Sequence, residues 1–240
     1  MKYPNYSLER ELLNQGFQNI VGVDEVGRGA WAGPIIAVAA MINSKIQIPL
    51  RPCLDADSTR RQAQGREARN KKKSNLKLQV INRIGIKDSK LLSEKLREEI
   101  FEQLSNQVIW SVGIVSHKEI DRRGMTWANQ TVIKRAIKKI AIEPDYLLID
   151  MVNGFKCRRP HQLIINGDRK VLSIAVASIL AKVTRDRLMR KYHQQYPQYN
   201  FHHHKGYGTK LHQNCLEKYG ICKIHRQSYQ PVKKILISKS

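Results

Sequence analysis

The chain has 240 residues, 41% of them hydrophobic, with 43 Lys and Arg against 20 Asp and Glu, a formal net charge of +23 and a pI near 10.1. That length suits one ordinary domain with an appendage, and so basic a chain points to a polyanionic partner, most simply nucleic acid. No apolar run approaches the ~20 residues needed to cross a bilayer and no apolar leader follows Met1, so a soluble, cytoplasmic protein with reduced thiols is expected.

In chain order, Ser7 to Asn14 reads as a short helix with Leu8, Leu12 and Leu13 on one side and Gly16 as its stop. The apolar run from Asn19 to Val23 reads as a buried strand that ends at the adjacent carboxylates Asp24 and Glu25. Gly27-Arg28-Gly29 follows as a tight turn into a second strand, Ile35 to Ile42, which a hairpin would pair antiparallel with the first. Gly27, Gly29 and Ala32 fit a loose dinucleotide pattern, but Pro34 and the β-rich run behind it replace the helix that such a site requires.

Residues 44–83 change character. Ten Lys or Arg lie between Arg51 and Arg83 against Asp55, Asp57 and Glu67, without long apolar runs. This reads as an inserted, disordered basic segment. Order returns with Lys87-Asp88-Ser89-Lys90, and Ser93 caps a helix to about Leu104. Val108 to Val115 is a strand. Thr126 is expected to cap a helix to about Ile140 that buries Val132, Ala136, Ile137 and Ile140. Tyr146 to Asp150 is an apolar strand ending in a carboxylate. Gln162 to Ile165 is another, with Asn166-Gly167-Asp168 as its exit turn. Val171 to about His193 forms one long helix with a small-residue face. Gly206-Tyr207-Gly208-Thr209 is a loop before a last helix, Leu211 to Lys218, ended by Gly220. The four cysteines, Cys53, Cys157, Cys215 and Cys222, make no C-x-x-C pair. With His202, His203, His204 and His225 they match no common zinc spacing.

Three strand exits thus carry acids: Asp24-Glu25, Asp150 and Asp168. Strand ends that lie side by side in an α/β fold converge on one edge. Converging carboxylates repel unless neutralised, and hard divalent cations such as Mg2+ or Mn2+ suit such a set. Adjacent strand residues face opposite sides, so Asp24 and Glu25 can share a site only where the chain twists. The glycine loop lets a ligand backbone approach, and Arg28 can grip a phosphate. Ser178 and Lys182, four apart, share a helix face. Asp186 is expected to pair with a neighbouring base.

On these motifs the sequence resembles the ribonuclease HII family. The resemblance rests on Val23-Asp24-Glu25-Val26-Gly27-Arg28-Gly29 with Gly33-Pro34, on Lys87-Asp88-Ser89-Lys90-Leu91-Leu92-Ser93, on the run Ser173 to Asp186, on His204-Lys205-Gly206-Tyr207-Gly208-Thr209 and on Ile224 to Val232. It implies an α/β, ribonuclease H-like fold: a mixed central β-sheet flanked by helices, with a catalytic domain over 17–187 and a small C-terminal helical region over 188–235. It implies an endonuclease that cuts the RNA strand of RNA–DNA hybrids and single ribonucleotides in duplex DNA. Asp24, Glu25, Asp150 and Asp168 would be its catalytic, metal-binding acids for two Mn2+ or Mg2+ ions. Gly27, Arg28, Gly29, Lys87, Ser178, Lys182 and Tyr207 would contact substrate, the glycine loop sensing the 2′-hydroxyl and Tyr207 packing on the sugar at the RNA–DNA junction. The chain departs from the family in following the third acid with Met151-Val152-Asn153-Gly154 rather than Gly-Asn, and in the length of its basic insert. A monomer is expected. The competing readings are a nucleic-acid-binding module without catalysis and a junction-cutting nuclease on the same fold.

Overall fold

A computed structural model describes residues 4–42 and 92–238. The basic segment 44–83, Lys87 and Asp88 lie outside the described residues.

Among the described residues, five strands form one mixed sheet. They are β1 (Ile20–Val26), β2 (Ile35–Met41), β3 (Ile109–Val115), β4 (Tyr146–Asp150) and β5 (His161–Ile164), in spatial order β3-β2-β1-β4-β5. β1 pairs antiparallel with β2, and β2 with β3, while β4 runs parallel to both β1 and β5. Every residue of β2 is buried, as expected of a strand covered on both faces. On one face α4 (Met125–Lys139) packs Val132, Ile133 and Ala136 against Val21, Val23, Ala37 and Ile149. On the other, α2 (Glu94–Ser105) and the long α5 (Leu172–Gln195) cover Val38 and Ala40 with Phe101, Val176 and Leu180.

Gly22 explains how closely α5 approaches β1. A Cβ there would stand 2.2 Å from the Ser173 carbonyl carbon, well inside van der Waals contact. The helix has no side-chain cap of its own. Glu9 of α1 (Ser7–Asn14) instead accepts from Ser173 N–H at 2.8 Å, placing a carboxylate where a helix N-terminus favours negative charge. Ser93 caps α2 by accepting from Leu96 N–H at 3.2 Å.

The described residues beyond the middle of α5 form a helical cluster beside the sheet edge. α5 runs unbroken to Gln195, and α6 (Phe201–His204), α7 (Lys210–Tyr219) and α8 (Gln230–Ser238) follow. Ala32, Met189, Tyr199, Phe201, Leu216, Ile224 and Val232 share one apolar core there. Ala32 joins it from the loop between β1 and β2, so the loop and the C-terminal helices pack as one body.

Three expectations are corrected. β1 does not stop at Val23 but continues to Val26, with Glu25 opposite Ala37 and Val26 opposite Ile36 on β2. Thr126 does not cap α4. That helix begins from Gly124 (φ 80°), which also ends a separate helix, α3 (His117–Arg123), held by a Ser116–Glu119 capping box. Leu211 to Lys218 is not the last helix: α8 follows Tyr229, with Pro231 in its first turn, a position that lacks an intrahelical partner for its N–H in any case.

Candidate active site

The parallel ladder between β1 and β4 runs from Ile20 beside Tyr146 to Val23 beside Ile149. The next residues are Asp24 and Asp150, so a strand spacing of about 4.8 Å sets these two acids at neighbouring positions. The register is locked at the opposite end, where the Asp145 carboxylate accepts from Gln18 N–H at 2.7 Å and Asn19 N–H at 3.0 Å. Asp150 Oδ1 accepts from Gly167 N–H at 2.7 Å. That bond folds the turn after β5 back over β4. Asn166 takes a left-handed conformation (φ 54°) and Gly167–Arg169 makes one 3-10 turn, which carries Asp168.

Asp24 is buried, with 7% of its surface exposed. Its Oδ1 accepts from Glu25 N–H at 2.8 Å. Burial pushes its carboxyl well above the usual carboxylate range, and the negative charges of Glu25, Asp150 and Asp168 push it further. A hydrogen bond with the Ser178 side chain acts in the opposite direction. The four acids named from the sequence are therefore one electrostatic group, with Ser178 of α5 at its inner side. The donors are all oxygen and carry excess negative charge, which fits hard divalent cations. Among the described residues, no three His, Cys, Asp or Glu side chains already stand around one point as a formed metal cage.

The glycine loop beside the acids is built around Arg185. Gly27 has φ +92°, and a Cβ there would meet Arg185 Nε at 2.2 Å. Only glycine satisfies both constraints. Arg185, fully buried, donates from Nε to Pro34 O (3.1 Å), from Nη1 to Lys205 O (2.9 Å) and from Nη2 to Ala32 O (3.2 Å). Arg226, also fully buried, donates from Nε to Gly33 O (2.9 Å) and from Nη1 to Arg28 O (3.0 Å). Arg28 and Gly29 themselves are exposed.

Main-chain bonds complete the attachment. Trp31 N–H donates to Gly206 O at 2.7 Å, Gly33 N–H to Ile224 O at 2.9 Å and Arg226 N–H to Trp31 O at 2.8 Å. Ala30 bridges to Tyr207. The Tyr207 ring, half-buried, lies 5.1 Å from the Arg185 guanidinium and 5.9 Å from Lys182 Nζ. Lys182 pairs with Asp186 at 2.8 Å, so the base that Asp186 finds is the one four residues earlier.

The structure thus gathers Asp24, Glu25, Asp150, Asp168 and Ser178 at one sheet edge, and holds Gly27, Arg28, Gly29, Lys182 and Tyr207 in the adjoining loops and helix. Arg185 and Arg226 were not singled out from the residue pattern. In Thr184-Arg185-Asp186 and His225-Arg226-Gln227 each reads as an ordinary surface cation, and only burial reveals its work.

A family model for ribonuclease HII matches residues 68–232. Curated proteins named Ribonuclease HII are similar along almost the whole chain. The one from Listeria monocytogenes serotype 4a is 38% identical over 226 residues, 94% of this chain and 73% of its own length. That from Caldicellulosiruptor bescii is 39% identical over 228 residues, 93% of this chain and 92% of its own length. Among solved structures, ribonuclease H2 from Pyrococcus horikoshii OT3 superposes with a TM-score of 0.67 at 25% identity, covering 92% of this chain and 98% of that one. Bst-RNase HIII in complex with Mn2+ has a TM-score of 0.63 at 16% identity, covering 92% of this chain and 70% of that one, and so shares the fold. The mixed sheet, its flanking helices and these relatives agree: the chain belongs to the ribonuclease HII family, divalent-metal-dependent endoribonucleases that act on RNA–DNA hybrids.

Proposed function

We propose that this enzyme cuts 5′ of single ribonucleotides in duplex DNA as well as within RNA–DNA hybrids. Asp24, Glu25, Asp150 and Asp168 would hold two Mg2+ or Mn2+ ions. When bound, such ions lower the pKa of a water and stabilise the leaving 3′ oxygen. The broken bond is P–O3′, which leaves a 5′-phosphate and a 3′-hydroxyl. Ser178 orients the Asp24 carboxyl. Arg28 grips the phosphate next to the scissile one, as a guanidinium does best. The backbone of the Gly27–Gly29 turn, exposed at Arg28 and Gly29, meets the ribose 2′-hydroxyl, the group that distinguishes RNA from DNA. Tyr207 packs on the sugar at the junction, and Lys182 and Lys87 contact the phosphate backbone.

The observation that carries this reading is the attachment of the Gly27–Gly29 loop to the Tyr207 loop through Arg185, beside the acid group. A ribose sensor and a sugar-stacking ring held as one body can inspect a single nucleotide without a long hybrid around it. The test uses three duplexes: all-DNA, DNA with one ribonucleotide, and a long hybrid, with the cut ends mapped. Wild-type enzyme should cut the second 5′ of its ribonucleotide and leave the first intact. Tyr207→Ala should lose about tenfold or more on the single ribonucleotide relative to the long hybrid, the scale of a lost stacking contact. Equal losses on both would remove Tyr207 from junction reading. Binding of all three duplexes without cleavage would favour a module that has lost catalysis.

A further inference from the structure

Behind the Tyr207 loop lie three buried histidines, His204, His212 and His225, exposed by 7%, 0% and 1%. Their hydrogen bonds leave one tautomer for each. His212 Nδ1 lies 3.0 Å from the carbonyl oxygen of Tyr207. A carbonyl only accepts, so His212 carries its proton on Nδ1 and its Nε2 is a bare acceptor. That Nε2 lies 3.0 Å from His225 Nε2, which must therefore donate. His225 Nδ1 is then bare, and Cys222 N–H donates to it at 2.8 Å. Cys222 O, 3.3 Å from the same nitrogen, already accepts from His225 N–H at 3.1 Å.

The result is one directed chain: Cys222 N–H to His225, His225 to His212, His212 to the Tyr207 carbonyl. Thr209 N–H takes the second position on that carbonyl at 2.8 Å. His204 is fixed separately. It donates from Nε2 to Tyr199 O at 2.7 Å, accepts on Nδ1 from Gly206 N–H at 3.1 Å, and stacks on His212 with ring centroids 4.3 Å apart. A proton added to His212 or His225 would set two N–H groups against each other. In keeping with this, burial and mutual repulsion push His212 down to about 3. His225 falls to about 4.

We propose that His212 and His225 are positioning residues for Tyr207: their relay fixes the Tyr207 carbonyl, and through it the ring presented to the substrate sugar. The inference rests on the junction-reading role of Tyr207 proposed above. The hydrogen bonds of both histidines run to Tyr207, Cys222 and each other rather than to the four acids, so the relay acts on substrate reading and not on hydrolysis. It explains why three imidazoles are buried in a place that apolar side chains could fill. A packing role needs shape alone, whereas a relay needs a donor at one nitrogen position.

Two near-isosteric variants separate those possibilities. In His212→Asn the amide N–H2 falls where Nδ1 stands and can still donate to Tyr207 O. In His212→Gln the amide reaches the Nε2 position, keeps an acceptor for His225, and leaves Tyr207 O without its side-chain donor. The readout is kcat/KM on the single-ribonucleotide duplex divided by kcat/KM on the long hybrid, with melting temperature alongside. His212→Gln should lower the ratio by about tenfold, as a small misplacement of a contact group can, and His212→Asn should keep it within about threefold. Adding His212→Gln to Tyr207→Ala should lower the ratio no further. Nitrogen NMR of the wild-type imidazoles should show the Nδ1–H tautomer at His212 and Nε2–H at His225.

If Tyr207→Ala lowers the ratio but both His212 variants leave it unchanged, or depress both substrates alike in step with melting temperature, the positioning inference is overturned and the junction role stands. An Nε2–H tautomer at His212 overturns it as well. If Tyr207→Ala itself leaves the ratio unchanged, the junction role fails and this inference fails with it.

Discussion

Asp24 is the residue on which the proposed chemistry and the stability of the fold pull in opposite directions. It is a buried carboxylate beside three others, and its carboxyl sits well above the ordinary range because of burial and their charges. A carboxyl whose folded pKa is raised contributes stability below its unfolded value, and that contribution is lost as pH rises through the folded value. At neutral pH in chelator, this raised pKa therefore costs the fold stability. Asp24→Asn keeps the shape and removes the charge. In metal-free buffer at pH 7 it should melt several degrees higher than wild type, and the gap should close as pH falls towards the ordinary carboxylate range. Thermal unfolding at several pH values checks this. A variant that melts lower at pH 7 would mean that Asp24 is not under the repulsion described. The four acids could be singled out in the sequence because they stand at the exits of three apolar runs in an acid-poor chain. What the residues alone could not give was Ser178 as Asp24's partner, since a serine on a small-residue helix face reads equally well as packing.

At the scale of elements, Arg185 joins parts of the chain far apart in sequence. From α5 it holds the carbonyls of Ala32, Pro34 and Lys205 together with no carboxylate in the set. Arg185→Met fills similar space but leaves three buried carbonyls without that donor. It should destabilise the protein by about 2–4 kcal/mol, measured by denaturant unfolding. Arg185→Lys should recover only part, because an ammonium cannot span three divergent acceptors as a planar guanidinium does. An unchanged midpoint for Arg185→Met would contradict the role given to it. Element boundaries were most legible where chemistry was local: the Ser93 cap and the run Tyr146 to Asp150 both lie where the residues indicate. α3 escaped notice because Ile120 is its one buried residue, too little for an apolar period. Its signal was the Ser116-x-x-Glu119 capping box. β1 runs on through Asp24 and Glu25 because β2 continues to pair with it there, a tertiary fact that the polarity of those residues conceals.

For the whole molecule, the sheet edge that carries the four acids and a helical cluster share one loop, and three buried histidines lie in that cluster. His204, His212 and His225 all have folded pKa values below the ordinary imidazole value, with burial the leading cause. Below about pH 6.5 the unfolded chain takes up protons that the folded chain refuses. Their effect on stability is absent above that pH and grows more unfavourable as pH falls towards about 4, where His225 begins to accept a proton. The melting temperature should decline across that window, and His212→Asn should flatten the decline. A slope unaffected by the substitution would contradict the neutral relay. The central claim, that the Asp24, Glu25, Asp150 and Asp168 edge is a metal-dependent hydrolytic centre, is tested most directly on duplex DNA carrying one ribonucleotide. Cleavage is followed with Mg2+, with Mn2+ and with chelator, for wild type and for Asp24→Asn. The account predicts a single cut 5′ of the ribonucleotide in either metal, none in chelator, and a loss of about a thousandfold or more in the folded Asp24→Asn enzyme. Cleavage by Asp24→Asn at close to the wild-type rate, or wild-type cleavage undiminished by chelator, would contradict it.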